Sequence, residues 1–227
     1  MTVALIHYHL HPGGVTRVME SQLHALSDTP LLLFSSTPPE FATPSHVEVR
    51  IVPELAYLDE GCERDEFDDA VDALDAALRP VVENGGILHP HNPGLGKNPA
   101  LTFVISRFVR EGAPVLNHCH DFAEDRPPQK DFLARAAAWT GMSFHRLLYP
   151  EGPRVRYGVL TSADRARLTS YGVPNDVIVL LPNPTSPPVT LPDRDEARAA
   201  LRATCGVTDN RPLVTYPVRV IRRKNTG

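Results

Sequence analysis

His7-Tyr8-His9-Leu10-His11-Pro12-Gly13-Gly14-Val15-Thr16-Arg17 is the stretch whose reading decides the fold. Ahead of it, Val3-Ala4-Leu5-Ile6 is a short apolar run that reads as a buried strand. Behind it, Val15, Val18, Met19, Leu23 and Leu26 recur at the spacing of one helix face. The order is therefore strand, glycine turn, helix. Two glycines at such a turn let the backbone approach a ligand closely. The helix start adds unpaired N–H groups and a partial positive charge, which together suit a phosphate. The same residues also fit an ordinary strand-to-helix turn, because their spacing is not that of the dinucleotide fingerprint G-x-G-x-x-G.

The pattern repeats outward from this point. Leu31 to Phe34 reads as a second buried strand, and Val47, Val49 and Ile51, alternating with Glu48 and Arg50, as a half-exposed one. Residues 59–66 read as an acidic loop before a helix carrying Phe67, Val71, Leu74, Leu78 and Val81. Further strands are predicted at 86–89, 114–117, 155–161 and 177–181. Helices are predicted over Leu101–Val109, capped by Asn98, over Asp131–Thr140, and over a segment capped by Ser162 and ending at Ser170. Alternation of this kind implies an α/β fold, a mostly parallel sheet with helices on both faces. Ligands bind such sheets at the carboxyl ends of the strands, where the histidine and glycine clusters fall. Residues 1–184 are expected to form this domain. A proline-rich linker at 185–192 follows, and then the start of a second, incomplete domain at 193–227, with one helix and a strand at Leu213–Tyr216.

Bulk properties exclude several function classes. Of the 227 residues, 42% are hydrophobic and 22% charged, a soluble globular composition. A net charge of −4 argues against bulk nucleic-acid binding. No apolar run has the length of a membrane span, and no signal peptide is read at the N-terminus. Cys62, Cys119 and Cys205, odd in number and far apart, suit reduced thiols in a cytoplasmic protein.

The chemistry-bearing candidates are few. Histidine-x-histidine occurs at 7–9, 9–11, 89–91 and 118–120. Imidazoles converging from strand ends could hold zinc, yet a spacing of two also follows from strand alternation alone, and no H-E-x-x-H motif accompanies them. Asp121 beside His120 could orient a ring or cap a turn. Gly94-Leu95-Gly96-Lys97-Asn98 fails as a nucleotide P-loop: His91 stands where the first glycine belongs, and Asn98 where a Ser or Thr would hold magnesium. No G-x-S-x-G elbow is present for a serine hydrolase. Arg219, Arg222, Arg223 and Lys224 form either a solvated tail or an anion site.

Taken in order, "HYHLHPGGVTRVMESQLHAL", "ILHPHNPGLGKNP", "VLNHCHDF", "GVLTSADRARLTSYGVPNDVIVLLPNP" and "PLVTYPVRVIRRKNTG" resemble the retaining nucleotide-sugar glycosyltransferases of the two-Rossmann (GT-B) type, the family 4-like, group 1 enzymes. The resemblance implies a Rossmann-like N-terminal domain and transfer of a hexose from a nucleotide-diphosphate sugar, as co-substrate, to a carbohydrate or lipid-linked acceptor. It implies no metal and no other cofactor. Gly13 and Gly14 would lie beside the donor diphosphate, and Arg219 and Lys224 would clamp it. His120, with His118 as the second candidate, would lie near the transferred sugar, and His91 and Asn92 would face the acceptor side. The donor's own phosphate would assist the acceptor hydroxyl, so no protein base is required. The family's R…K-G motif reads here as Arg219…Lys224-Asn225-Thr226-Gly227, with the glycine displaced, and most of the donor-binding domain is not in this sequence. The 227 residues taken alone are therefore expected to be inactive. A non-catalytic sugar-binding module and a metal-dependent hydrolase using the histidine pairs are the alternatives.

Overall fold

In a computed structural model of the chain, residues 1–185 and 190–208 are described. They fall into two compact units, Met1–Pro184 and Thr185–Gly227. In the first unit, β1 (Val3–Ile6) has neighbours on both sides and helices over both faces. That is why its four residues are apolar without alternation, with Ala4, Leu5 and Ile6 fully buried. Outward from it lie β2 (Leu31–Ser35) and then β3 (Val47–Ile51), the half-exposed edge that the alternating sequence predicts. On the other side of β1 come β4 (Ile87–Pro90), β5 (Val115–Cys119), β6 (Val155–Val159) and β7 (Ile178–Leu180). The order is β3-β2-β1-β4-β5-β6-β7, and every pairing is parallel. The direction of winding reverses between β1 and β4. A crevice opens at such a switch point, beyond the carboxyl ends of the two strands.

Two apolar cores clamp the sheet. On one face Leu5, Leu31 and Leu33 pack with Leu10 and with Met19 and Leu23 of α1 (Gly14–Ala25). On the other, Ala4, Ile6, Phe34 and Leu88 meet α2 (Arg64–Glu83) and α3 (Pro99–Arg110) through Phe67, Leu74, Leu78, Leu101, Val104 and Phe108. α4 (Pro127–Thr140), α5 (Phe144–Leu148) and α6 (Ser162–Ser170) complete the unit. The second unit contains α7 (Arg194–Cys205), whose N-cap Asp193 accepts from the Asp195 and Glu196 amides. The strand predicted at Leu213–Tyr216 lies outside the described residues, as does part of the proline-rich linker. No described helix is long and apolar enough to cross a membrane.

Several boundaries differ from the sequence reading, each for a local reason. α2 begins at Arg64, inside the acidic stretch read as loop, because Glu63 and Glu66 form a reciprocal capping box. Pro127 and Pro128 start α4 four residues early, since proline fits the first helical turn, where no amide partner is needed. Thr161, not Ser162, caps α6, paired with Asp164. The asparagine cap of α3 is as predicted: Asn98 Oδ1 accepts from Leu101 N at 3.0 Å. Its amide nitrogen does more, donating to the Glu54 and Ala56 carbonyls at 2.7 Å each, and so ties the loop after β3 to α3. Asn98→Ala removes a cap and leaves two carbonyls without their donor. It is expected to lower stability by about 2–4 kcal/mol in urea unfolding.

Candidate functional site

Sheet register assembles the site. Leu5 of β1 stands beside His89 of β4, and Ile6 beside Pro90. One residue further along, the His91 amide donates to the Ile6 carbonyl at 2.8 Å. His91 in turn bridges His118 of β5. His7, His91 and His118 therefore come level across three strands, and His89 faces the same side as Leu5, the α1 side. Where aliphatic side chains fill that face beneath α1, imidazoles fill it over β4 and β5. Ring centroids are 4.7 Å apart for His89–His91, 4.8 Å for His91–His118 and 4.2 Å for His118–His120. His89 Nε2 lies 3.3 Å from His118 Nδ1, and His91 Nδ1 lies 2.9 Å from His120 Nε2. His7 Nδ1 donates to the His91 carbonyl at 3.2 Å.

Asn92 locks this strip. It is the one non-glycine residue with positive φ among those described, at 56°, a conformation asparagine tolerates better than most side chains. There its side-chain oxygen accepts the His120 and Asp121 amides at 2.6 and 3.0 Å, and its own amide donates to the His118 carbonyl at 2.8 Å. Tyr8 Oη donates to the Asn92 carbonyl at 2.6 Å from the β1 side. Asp121 pairs with Arg126 at 3.0 Å and orients no imidazole.

The imidazoles are held neutral. Burial pushes His7 down to about 4, opposed by its bond to the His91 carbonyl. Burial likewise takes His89 down to about 3, with the neighbouring His118 adding to the effect. His118 falls to about 4 by burial, with the Leu181 backbone pulling the other way. His120 falls to about 3, by burial and then by its histidine neighbours. His91, wholly buried, is held well below its ordinary value for the same reasons.

His89, His91 and His118 bring ligand atoms within 4.8 Å of one another, so neutral imidazoles for a metal are present. His89 stacks on His91 at 21° and on His118 at 20°, while His91 and His118 are tilted by 41° to each other. No carboxylate joins the group.

The sequence-predicted residues separate by burial. His91, Asn92 and His118 are buried, at 0%, 3% and 1% exposure. The Nδ1 atoms of both rings and the Asn92 side-chain oxygen are paired, whereas His91 Nε2 and His118 Nε2 are buried without a hydrogen-bond partner. His120 is half-buried at the mouth of the strip. Gly13 and Gly14 are exposed at the start of α1, where no side chain caps the helix and no acidic residue sits in the first turn. A Cβ on Gly14 would meet nothing within 4 Å, and one on Gly13 only the His11 carbonyl at 3.8 Å. The protein's own packing therefore does not demand glycine there. Arg219 and Lys224 lie outside the described residues. Sequence reasoning missed Tyr8, Tyr57 and the latch role of Asn92, because none belongs to a spaced motif.

The neutral strip has a pH consequence. Unfolded histidines titrate near 6.5, whereas these remain unprotonated in the fold until about pH 4 or 3. Below 6.5 the unfolded chain binds more protons. The stability present above pH 6.5 is thus lost as the pH falls toward 4. Each fully buried imidazole is expected to cost about 1 kcal/mol between pH 6.5 and 5.5. Urea midpoints at the two pH values measure this, and the double variant H89L/H118L should show a shallower dependence.

No protein-family model matches the chain. It is 27% identical over 241 aligned residues to mannosylglucosyl-3-phosphoglycerate synthase of Petrotoga mobilis, an alignment covering 97% of this chain and 46% of that protein. The chain thus spans about half the length of that relative. Among solved structures it is similar to WaaG, a glycosyltransferase involved in lipopolysaccharide biosynthesis, with a TM-score of 0.55 and 15% identity over 92% of this chain and 52% of that one. The seven-stranded parallel sheet with its flanking helices is therefore a Rossmann-like α/β fold, similar to that of the glycosyltransferase WaaG.

Proposed function

We propose that the chain is the acceptor-side part of a retaining, two-Rossmann glycosyltransferase that moves a hexose from a nucleotide-diphosphate sugar to a carbohydrate acceptor. The observation that carries this reading is the alignment to a glycoside-forming synthase over 97% of the chain. Its support in the fold lies at β1 and β4, the two strands flanking the switch point: the glycine turn follows β1, and histidines end β4 and the neighbouring β5.

In this reading the exposed amides at Gly13 and Gly14 face the donor diphosphate. Arg219 and Lys224 provide cations that offset the charge developing on the leaving nucleotide. His120 contacts the transferred sugar, and the hydrogen-bond network sets its tautomer. If His91 Nδ1–H donates to His120 Nε2, the buried and unpartnered His91 Nε2 is a bare lone pair rather than a stranded N–H. His120 then carries its proton on Nδ1 and presents a neutral donor to a sugar hydroxyl. A ring held near pH 3 supplies no proton at neutral pH, so its role is orientation and hydrogen bonding, not acid catalysis. The acceptor oxygen attacks the anomeric carbon as the bond to phosphate breaks, and the acceptor's proton passes to the leaving phosphate oxygen. No metal and no protein base enters. His118 and His91 position His120, and Asn92 fixes the backbone that carries it.

Incubating the protein, in its full natural length, with a panel of nucleotide-diphosphate hexoses and glycosylated acceptors tests this. Transfer with retained anomeric configuration by NMR is expected, with His120→Ala lowering kcat about 100-fold or more. Inversion, or no transfer from any donor, would overturn it. Gly14→Ala is expected to leave the urea midpoint unchanged or raised, by up to about 1 kcal/mol, while weakening binding of the nucleotide diphosphate.

A further inference from the structure

The loop that fails as a P-loop is nonetheless closely specified. Gly96 has φ +79°, and a Cβ there would lie 2.8 Å from the Gln129 carbonyl oxygen, so only glycine fits. Beside it, Asn98 holds the Glu54 and Ala56 carbonyls, and the Lys97 carbonyl accepts from Leu58 N at 3.0 Å. These bonds brace the chain on either side of Tyr57. Tyr57 is half exposed, packs edge-on against Tyr8 with centroids 5.2 Å apart, and places its hydroxyl 3.1 Å from His9 Nε2.

Two cations flank this aromatic pair. The Lys97 ammonium lies 5.4 Å from the Tyr57 ring centre and forms no ion pair among the described residues. Arg126 is anchored by Asp121, whose amide is held by Asn92. The positive charge of Arg126 is felt at the Tyr8 hydroxyl, where it opposes the upward push of burial and of Tyr57. Asp121 is engaged with Arg126, Glu40 with His11 and Glu60 with Gln129. A half-buried ammonium on a braced loop, without an ion-pair partner among the described residues, lies at the exposed Tyr57 ring, and a second cation acts on the buried Tyr8 behind that ring; this suits an anionic sugar derivative.

We propose that Lys97 and Arg126, set around the Tyr8–Tyr57 pair beside the histidine strip, form the subsite for a phosphate or carboxylate group on the sugar acceptor. The inference rests on the acceptor-side reading above and gives the acceptor its chemical class, an anionic glycoside. The name of the Petrotoga relative, a synthase of a phosphoglycerate glycoside, agrees with that class. The other anion available to Lys97 is the donor diphosphate, and the two sources separate experimentally.

Calorimetric titration of the chain with 3-phosphoglycerate at low salt, with glycerol as the uncharged control and GDP as the diphosphate probe, tests the assignment. 3-Phosphoglycerate is expected to bind, and glycerol is not. Lys97→Gln and Arg126→Gln should each weaken the phosphoglycerate about tenfold or more, and Lys97→Arg by no more than about threefold. Because the ammonium has no ion-pair partner among the described residues, Lys97→Gln gives up only the half-exposed contact with Tyr57 and should keep the parent stability to within about 1 kcal/mol. Should it unfold, the loss of affinity of the parent chain with added NaCl serves in its place. Failure of the parent chain to bind 3-phosphoglycerate, parent-like binding by Lys97→Gln, or a loss confined to GDP would each overturn the subsite. Lys97-dependent binding without any sugar transfer would sink the glycosyltransferase reading and leave the subsite standing. Transfer to a neutral acceptor, indifferent to Lys97, would do the reverse.

Discussion

Three backbone hydrogen bonds at the carboxyl edge of the sheet hold everything that matters here. The His7 amide donates to the Phe34 carbonyl at 3.1 Å, the His91 amide to Ile6 at 2.8 Å and the Asn92 amide to His118 at 2.8 Å. Each continues a strand ladder by one residue beyond the regular pairing. The first ties β1 to β2, and the other two keep β1, β4 and β5 in a register that sets five imidazoles on one face. A slip by one residue in any of the three strands would turn its histidines to the opposite face, into the core built from α2 and α3. Register is thus the site's first specification, and side-chain chemistry acts only within it.

The strip is unusual for what it replaces. Beneath α1 the same face is sealed by Leu5, Leu31, Leu33, Met19 and Leu23, ordinary aliphatic packing. Over β4 and β5 the rings stack instead and pair through one ring nitrogen each and the backbone, with His91 Nε2 and His118 Nε2 left without a partner. Neutral imidazole is flat, packs like an aromatic and still offers a donor and an acceptor. A polar mouth at His120 can therefore grade into a dry interior at His89 and His91 without a buried charge. The graded strip also explains why burial, more than any neighbouring charge, governs the acidity of these rings.

Much of the fold was legible because both of its signals are local. Apolar runs such as Val3–Ile6 and Leu31–Phe34, and helical spacing such as Phe67 to Val81, follow from burial on one face or two. The His-x-His pairs marked the strand ends for the same reason. The convergence of those pairs was not legible, since it depends on which strands become neighbours and in what register. α5 is absent from the sequence reading, being a single turn capped by Ser143 and too short for a periodic signal. The extension of β5 through Cys119 comes from pairing with Val159 in β6, a partner forty residues away in the chain. Asn92 reads as a loop residue between two prolines. Its left-handed backbone and its three-way bonding exist only once β5 is in place.

The interlocking of the rings has an evolutionary consequence. In an aliphatic core, one methylene lost at one position can often be made good by a neighbour's shift. In the strip, an apolar replacement of one histidine strands a nitrogen on the next, and a smaller residue opens a gap between stacked rings. Single steps are therefore costly where paired steps are not. Positions 89 and 118, and positions 91 and 120, are tied as epistatic couples, and lineages that abandon the strip must cross a valley of less stable intermediates.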